Sequence, residues 1–201
     1  MASIYDIKPQ FQNLLRPFVK RLARAGVTPN QVTISAIILS FITGVLITLF
    51  SSNLYILLLV PVVMFVRMAL NAIDGMLAKE HDMKTALGNI LNELGDVISD
   101  VCLFLPFAFV VGFSEPLIIA IVIFSIISEM TGVLGSVIGA SRRYDGPMGK
   151  SDRAFIFGFL ALGVVIGFIN QLFITIILSL TLLLIVVNII IRMKRALEEV
   201  G

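Results

Sequence analysis

The sequence predicts an all-α polytopic membrane protein in which an N-terminal amphipathic helix precedes six transmembrane helices. Hydrophobic residues make up 58% of the 201 positions, and the mean hydropathy is +1.04. Both values exceed those of a soluble domain, in which about half of the residues are apolar. Because one span takes about 20 apolar residues, the chain has room for about six spans. We therefore expect residues 1–201 to form a single membrane domain.

The first predicted element is an amphipathic helix over residues 7–25. Apolar and basic positions alternate there at helical spacing. The apolar positions are Phe11, Leu14, Leu15, Phe18 and Leu22, and the basic positions are Arg16, Lys20, Arg21 and Arg24. Basic amphipathic helices lie in the interface of an anionic leaflet. We expect residues 1–28 to form a juxtamembrane segment of this kind.

Apolar runs follow and predict a six-helix bundle over residues 29–195. The runs cover residues 30–51, 53–79, 86–113, 115–141, 152–169 and 171–193. Pro61 and Pro106 fall inside runs and predict kinks. The connections near residues 52, 114 and 170 are almost uncharged, whereas those near 80 and 145, and the C-terminal tail, are basic. By the positive-inside rule we predict a multi-pass protein of the cytoplasmic (inner) membrane with both termini in the cytoplasm.

Ionisable residues inside these apolar runs are candidates for a functional site. They are Arg67, Asp74, Glu93, Asp96, Asp100 and Glu129. A charge at the bilayer centre costs at least about 2.5 kcal/mol, so such residues are usually functional. The other interpretation is a buried polar network that only joins two helices.

Two helix faces carry most of these polar groups. The second run places Arg67, Asn71, Asp74 and Ala78 on one face, and the third run does the same with Gly88, Asn92, Asp96 and Asp100. An antiparallel hairpin would turn the two faces toward each other. Their carboxylate and amide oxygens suit Mg²⁺, Mn²⁺ or Ca²⁺. Gly75 and Gly88 leave room for a bulky ligand such as a diphosphate.

The same stretch resembles the signature of the CDP-alcohol phosphatidyltransferase family, D-x2-D-G-x2-A-R-x8-G-x3-D-x3-D. All spacings match. The matching positions are Asn71, Asp74, Gly75, Ala78, Lys79, Gly88, Asn92 and Asp96. The segment Thr28-Pro29-Asn30 with Thr33 is similar to the motif that opens the first span in this family.

The resemblance implies transfer of a phosphatidyl group from CDP-diacylglycerol, or a related CDP-alcohol, to a hydroxyl acceptor with release of CMP. It implies Mg²⁺ or Mn²⁺, as one or two ions, with Asp74 as a ligand and Asp96 as ligand and general base. Asn71 and Asn92 replace two family aspartates, so we expect them to be neutral ligands and Asp100 to compensate. The expected substrate contacts are Asn30, Thr33, Arg67, Gly75, Ala78, Lys79 and Gly88. Lys79 replaces the family arginine and loses its bidentate fork.

The connection near residue 145 adds a basic patch. Lys150 and Arg153 lie three residues apart at the start of the fifth run, where Ser151 or Asp152 can cap the helix. The resemblance implies that they bind a phosphate of the donor or of an acceptor such as glycerol phosphate; another polyol is equally open. Arg67 has two candidate partners, Glu129 and a substrate phosphate.

Two alternatives remain from the sequence. The replacements at Asn71 and Asn92 would also suit a catalytically weak or inactive CDP-lipid-binding member of the family, and intramembrane acids also occur in small cation transporters. The expected partners are the lipid bilayer and a second copy of the chain, whereas nucleic acid is not expected. A series of small residues in the fourth run allows close helix approach, for packing or for a homodimer. The series is Gly132, Gly135, Ser136, Gly139 and Ala140.

Overall fold

The structure, a computed structural model, describes residues 4–201. Over this range the chain forms seven α-helices and two 3₁₀ turns. The helices are α1 (Ile4–Arg24), α2 (Pro29–Leu49), α3 (Leu59–Glu80), α4 (Ala86–Phe104), α5 (Glu115–Val137), α6 (Lys150–Ile166) and α7 (Gln171–Val200). The 3₁₀ turns cover Leu54–Leu58 and Leu105–Phe109. The predicted all-α class is confirmed, whereas residues 1–3 of the predicted juxtamembrane segment lie outside the described residues.

Among the described residues, four helical segments are long and apolar enough to cross a membrane. They are Pro29–Leu49, Leu54–Glu80, Glu115–Val137 and Gln171–Val200. Helix α4 contains three carboxylates, Glu93, Asp96 and Asp100, and α6 has 17 residues. Six spans therefore stay a prediction.

Several helices end at other positions than the apolar runs suggest. The third run leaves α-helical geometry at Phe104 and continues as the 3₁₀ turn that contains Pro106, because proline has no backbone N–H to donate. The fourth run was predicted to reach residue 141, but α5 ends at Val137, and Gly139 adopts a left-handed φ of 94°. Pro61 lies in the first turn of α3, where it interrupts no interior hydrogen bond.

Side-chain caps set the starts of the helices that carry the site. Thr28 and Gln31 form a capping box at α2, with Pro29 at the first helical position. The Thr85 hydroxyl accepts a hydrogen bond from the Gly88 N–H at 2.9 Å and starts α4. At α6, Asp152 accepts a hydrogen bond from the Gly149 N–H at 3.0 Å. Of the two residues predicted to cap this helix, Asp152 does so.

The helices pack around a core that includes three aromatic side chains. Phe104 of α4 stacks on Phe157 of α6 with ring centroids 4.1 Å apart, and Phe107 meets the same ring edge-on at 5.1 Å. A Cβ at Gly44 would overlap the backbone oxygen of Cys102, so glycine permits the close approach of α2 and α4. Nearer the α3–α4 hairpin, a Cβ on Gly95 would lie 2.9 Å from Ile37 Cδ1, so α2 and α4 stay close there as well.

Candidate active site

The α3–α4 hairpin brings the two predicted polar faces together. Asn71 of α3 donates a hydrogen bond to Asp96 Oδ1 of α4 at 3.3 Å. Thr33 of α2 donates to Asp74 Oδ2 at 2.8 Å, and the Asp74 side chain is buried. The contact between α2 and α3 therefore holds one predicted ligand in place, and the contact between α3 and α4 joins two others.

Thr33, Asn71 and Asp74 line a cavity of about 270 Å³ between α2, α3 and α4, which we call the hairpin cavity. Nine of the predicted site residues line it: Asn30, Thr33, Asn71, Asp74, Gly75, Ala78, Lys79, Gly88 and Asn92. Residues from the start of α2 and from the two halves of the sequence motif, on α3 and α4, thus meet around one space. That convergence is expected for a binding site with several polar contacts.

Glycine occupies the two motif positions for different structural reasons. A Cβ on Gly88 would lie 2.8 Å from Asn30 Oδ1 and 3.0 Å from Thr85 Oγ1, so a larger residue would require these side chains to shift. A Cβ on Gly75 would meet no heavy atom of the chain within 4 Å. Gly75 therefore leaves open space in the hairpin cavity, which fits a bulky ligand near the backbone.

A second cavity of about 350 Å³, which we call the polar cavity, lies between α4, α5, α6 and α7. It is lined by Asn92, Glu93, Asp96, Glu129, Arg142, Tyr144, Gly146, Gly149, Lys150, Ser151, Asp152 and Arg192. Asn92 borders both the hairpin cavity and the polar cavity. Lys150 Nζ contacts Asp96 Oδ1, so the predicted basic patch reaches the predicted general base.

A third, mostly apolar space of about 580 Å³ lies between α3 and α6, and we call it the apolar groove. Phe65, Met68, Phe155 and Phe159 are among its walls. Arg67, Asn71, Asp100 and Lys150 also border it. The groove therefore joins an apolar surface to the polar residues of the hairpin.

Arg67 and Asp100 form a buried ion pair, with Arg67 Nη1 3.1 Å from Asp100 Oδ1. The proposed pairing of Arg67 with Glu129 is therefore wrong. Arg153 of α6 lies 3.3 Å from Asp100 Oδ2, so Asp100 has two cationic partners. Because its oxygens serve these arginines, Asp100 does not join the residues around the hairpin cavity.

Glu129 is the centre of a second part of this ion network. Its carboxylate lies 2.8 Å from Arg142, 3.0 Å from Arg153 and 3.4 Å from Arg192. Arg142 also pairs with Glu93 at 3.0 Å and lies over the Tyr144 ring. Arg153 is 1% exposed, and its described partners are carboxylates and a backbone oxygen of the chain.

Sequence reasoning missed the roles of Arg142 and Arg192. Both count toward the basic clusters that predict topology. Because topology already explained them, their pairing with Glu129 was not predicted. In the loop before α6, Arg143 donates to Asp145 at 2.7 Å, and this hydrogen bond lowers the pKa of the Asp145 carboxyl. The signal that could have revealed the network was Glu129, an acid in an apolar run without an obvious partner.

The small residues of α5 face this loop. A Cβ on Gly132 would overlap the Arg142 guanidinium, and a Cβ on Gly135 would lie 3.0 Å from the Ser141 backbone oxygen. The same Cβ would lie 3.6 Å from Ala196 Cβ of α7, so these glycines approach both a loop and a helix of the same chain. A homodimer stays a prediction.

The donor set fits a hard divalent cation by its chemistry. Asp74, Asp96, Asn71 and Asn92 offer carboxylate and amide oxygens, which Mg²⁺ and Mn²⁺ prefer. Within residues 4–201 no three Asp, Glu, His or Cys side chains are grouped as a metal site. That result agrees with the two asparagines, because any site here must draw on neutral oxygens.

The fold and site define a class of helical membrane proteins in which a hairpin gathers carboxylate and amide oxygens beside open cavities. A family model described as CDP-alcohol phosphatidyltransferase matches residues 26–194. The chain belongs to the CDP-alcohol phosphatidyltransferase family, and the resemblance seen in the motif is confirmed.

Individual proteins agree with this assignment. The chain is 49% identical over 164 residues to the inner membrane protein YnbA of Escherichia coli (strain K12), covering 82% of this chain and 81% of that protein. Two structures of the Mycobacterium tuberculosis phosphatidylinositol phosphate synthase (PgsA1) share the fold. With CDP-DAG bound, the TM-score is 0.75 at 21% identity, covering 90% of this chain and 92% of the other. With manganese and citrate, it is 0.76 at 21% identity, covering 92% and 90%.

Proposed function

We propose that this protein transfers a phosphatidyl group from CDP-diacylglycerol, or a related CDP-alcohol, to the hydroxyl of an acceptor such as glycerol phosphate or another polyol. CMP is the leaving product. The observation that carries the proposal is the hairpin cavity, where nine motif and motif-adjacent residues meet. A relative of the same fold was crystallised with CDP-DAG bound, which supports the choice of donor.

The hairpin cavity would hold the cytidine diphosphate part of the donor. The open space beside Gly75 lets a diphosphate approach the α3 backbone, and Lys79 supplies a positive charge at the cavity wall. Asn30 and Thr33 contribute polar groups from the start of α2. The diacylglycerol part would extend along the apolar groove, whose walls have the hydrophobic character that acyl chains require.

Asp96 would act as the general base, because it borders the polar cavity next to the hairpin cavity. Its carboxylate takes the proton from the acceptor hydroxyl as that oxygen bonds to the β-phosphorus. The bond between this phosphorus and the oxygen that bridges to CMP then breaks. The hydrogen bond from Asn71 and the contact with Lys150 would orient the carboxylate.

Asp74, Asn71, Asn92 and Asp96 would hold Mg²⁺ or Mn²⁺, as one or two ions. When bound, the cation would neutralise charge that develops on the diphosphate. A structural relative contains manganese, which supports a divalent ion of this kind. We assign Asp100 to the ion pairs with Arg67 and Arg153, because both of its oxygens already have cationic partners.

We also propose the orientation in the membrane. Six spans with both termini in the cytoplasm would place the basic connections, the hairpin cavity and the polar cavity at the cytoplasmic side. Helix α1 packs on α3 through Phe11 and Phe65, and its Leu14 and Phe18 are exposed. Exposed apolar side chains beside basic residues suit a helix that lies in the interface.

The decisive experiment measures CMP release from CDP-diacylglycerol by the purified protein, with and without Mg²⁺ or Mn²⁺ and with a panel of alcohols. We expect release that requires both the metal and one acceptor. Because Asn71 and Asn92 reduce the charge of the site, binding without turnover is the second candidate. Saturable binding of CDP-diacylglycerol with no CMP for any acceptor would favour that candidate and overturn the transferase.

A further inference from the structure

The charges around the polar cavity are almost completely balanced within the chain. In the part of the chain that the structure describes, four carboxylates line the cavity: Glu93, Asp96, Glu129 and Asp152. Three cationic groups face them: Arg142, Lys150 and Arg192. The lining therefore carries one more negative than positive charge. Basic residues alone would suggest a phosphate site, but the acids beside them change that expectation.

Each cationic group along this described lining already contacts oxygens of the chain. Arg142 pairs with Glu93 and Glu129 at 3.0 and 2.8 Å. Arg192 donates to the Ser128 backbone oxygen at 2.6 Å and lies 3.4 Å from Glu129. Lys150 contacts Asp96. A phosphate in this cavity would therefore compete with these carboxylates for the same cations.

Arg153 cannot supply the missing charge. The family resemblance implies that it binds a phosphate of the donor or of the acceptor, but it is 1% exposed and pairs with Asp100 and Glu129. A phosphate monoester carries about −1.5 to −2 charges at neutral pH. Bringing that charge beside Glu93 and Glu129 without an uncommitted cation is unfavourable, because partly buried charges need partners.

We infer that the polar cavity binds an acceptor alcohol without a phosphate group, an uncharged polyol, and that Glu93 and Glu129 exclude phosphorylated acceptors. The inference rests on the proposed function and narrows its acceptor class. Polyol hydroxyls both donate and accept hydrogen bonds. The lining offers carboxylates to accept from them and the Tyr144 and Ser151 hydroxyls to pair with them. A volume of about 350 Å³ is within the usual range for a small-molecule pocket.

The first test compares matched acceptors that differ only in phosphate. Purified protein with CDP-diacylglycerol and Mn²⁺ is given glycerol or glycerol 3-phosphate, and inositol or inositol 1-phosphate. We expect CMP release with an unphosphorylated member and none above background with its phosphorylated counterpart. Preference for a phosphorylated member would overturn the inference while supporting the transferase.

The second test measures binding and does not depend on turnover. Wild-type protein is titrated with glycerol 3-phosphate by calorimetry, beside Glu93→Gln, which frees one side of Arg142. We expect no saturable binding to the wild type. The variant should bind saturably, at least about tenfold more tightly than the weakest affinity that the titration detects, roughly the effect of one charge-assisted hydrogen bond. Glu129→Gln should act in the same direction, but Glu93 is the safer site because its side chain is 35% exposed.

Controls locate the effect in the cavity. Arg142→Gln in the Glu93→Gln background should abolish the gained binding, whereas Glu198→Gln, which removes an exposed carboxylate paired with Arg195, should not create any. Wild-type binding that Arg142→Gln weakens, or no gain in Glu93→Gln, would overturn the inference. If CMP is released with no acceptor at all while Glu93→Gln gains phosphate binding, the transferase fails and the exclusion of phosphate stands.

Discussion

The Arg142 guanidinium lies against Gly132 of α5, in space that any larger residue at that position would fill. This contact lets a loop arginine enter the bundle and reach Glu129, a residue of the same helix. Glu93 of α4 meets the same guanidinium. One missing side chain thus permits a charge network that joins α4, α5 and the loop before α6.

Gly132→Ala should therefore destabilise the protein, although alanine favours a helix by about 1 kcal/mol over glycine. Overpacking against Arg142 should cost about 1–3 kcal/mol and lower the Tm measured in detergent. Gly158→Ala in α6 is the matched control, since its Cβ would lie 3.8 Å from Met64 Sδ in ordinary contact. Equal Tm changes for both variants would contradict the packing role of Gly132.

Asp96→Asn should remove the general base and keep the shape of the side chain. We expect CMP release to fall by about 10²- to 10⁴-fold, the usual effect of losing such a group. CDP-diacylglycerol binding should change little. Asp82→Asn, an exposed carboxylate in the loop between α3 and α4, is the control and should remain active. Wild-type turnover in Asp96→Asn would rule out this role.

Thr33→Val should weaken metal binding by removing the hydroxyl that donates to Asp74 at 2.8 Å. Leaving a buried carboxylate without its hydrogen-bond donor costs about 1–3 kcal/mol, and the carboxylate also loses its fixed orientation. We expect about a tenfold fall in Mn²⁺ affinity, which titration calorimetry would measure, and recovery in Thr33→Ser. Thr43→Val is the control, because the Thr43 hydroxyl bonds within α2, to Leu39 O. An equal loss in both variants would mean that helix packing explains the effect.

Asn92→Asp should raise Mn²⁺ affinity by restoring a carboxylate at the border between the hairpin cavity and the polar cavity. Affinity for hard cations increases with the charge of the ligands, and we expect about a tenfold gain. Asn89→Asp adds the same charge to α4 near the hairpin cavity and should have a smaller effect. If the two variants bind Mn²⁺ equally, Asn92 is no ligand.

Asp100→Asn should reduce stability without reducing the Mn²⁺ affinity of the folded protein. It leaves Arg67 and Arg153 short of a buried partner, which costs about 3–5 kcal/mol. The double variant Arg67→Met/Asp100→Leu replaces the pair with apolar side chains and should recover much of the Tm. A selective loss of Mn²⁺ affinity in Asp100→Asn would instead assign Asp100 to the metal.

Local sequence patterns predict most of the hairpin cavity. Asp74 and Asn92 lie on faces that the helical period defines, and the cap at Thr28 follows from residues next to it in the chain. Such features depend on neighbours within one or two turns, so spacing alone reveals them. The helix ends at Phe104 and Val137 were less predictable, because a 3₁₀ turn and a left-handed glycine end helices inside apolar runs.

The partners of the buried charges could not be predicted in this way. Arg67 and Glu129 were each seen to need a partner, but Arg67 pairs with Asp100, 33 positions away, and Glu129 pairs with Arg192 on α7. Pairing over such distances depends on how helices pack and on the space left by residues such as Gly132. No spacing rule in the chain encodes that geometry.

The sequence by itself therefore determined the helical class, the family motif and the oxygen donors, because each follows from composition or from the period of a single helix. Only the tertiary structure decided the electrostatic character of the polar cavity. Arg142, Arg153 and Arg192 look like free basic residues along the chain, yet folding places Glu129 within 3.4 Å of all three. A cation's availability to a ligand depends on the charges around it, and those charges come from separate helices.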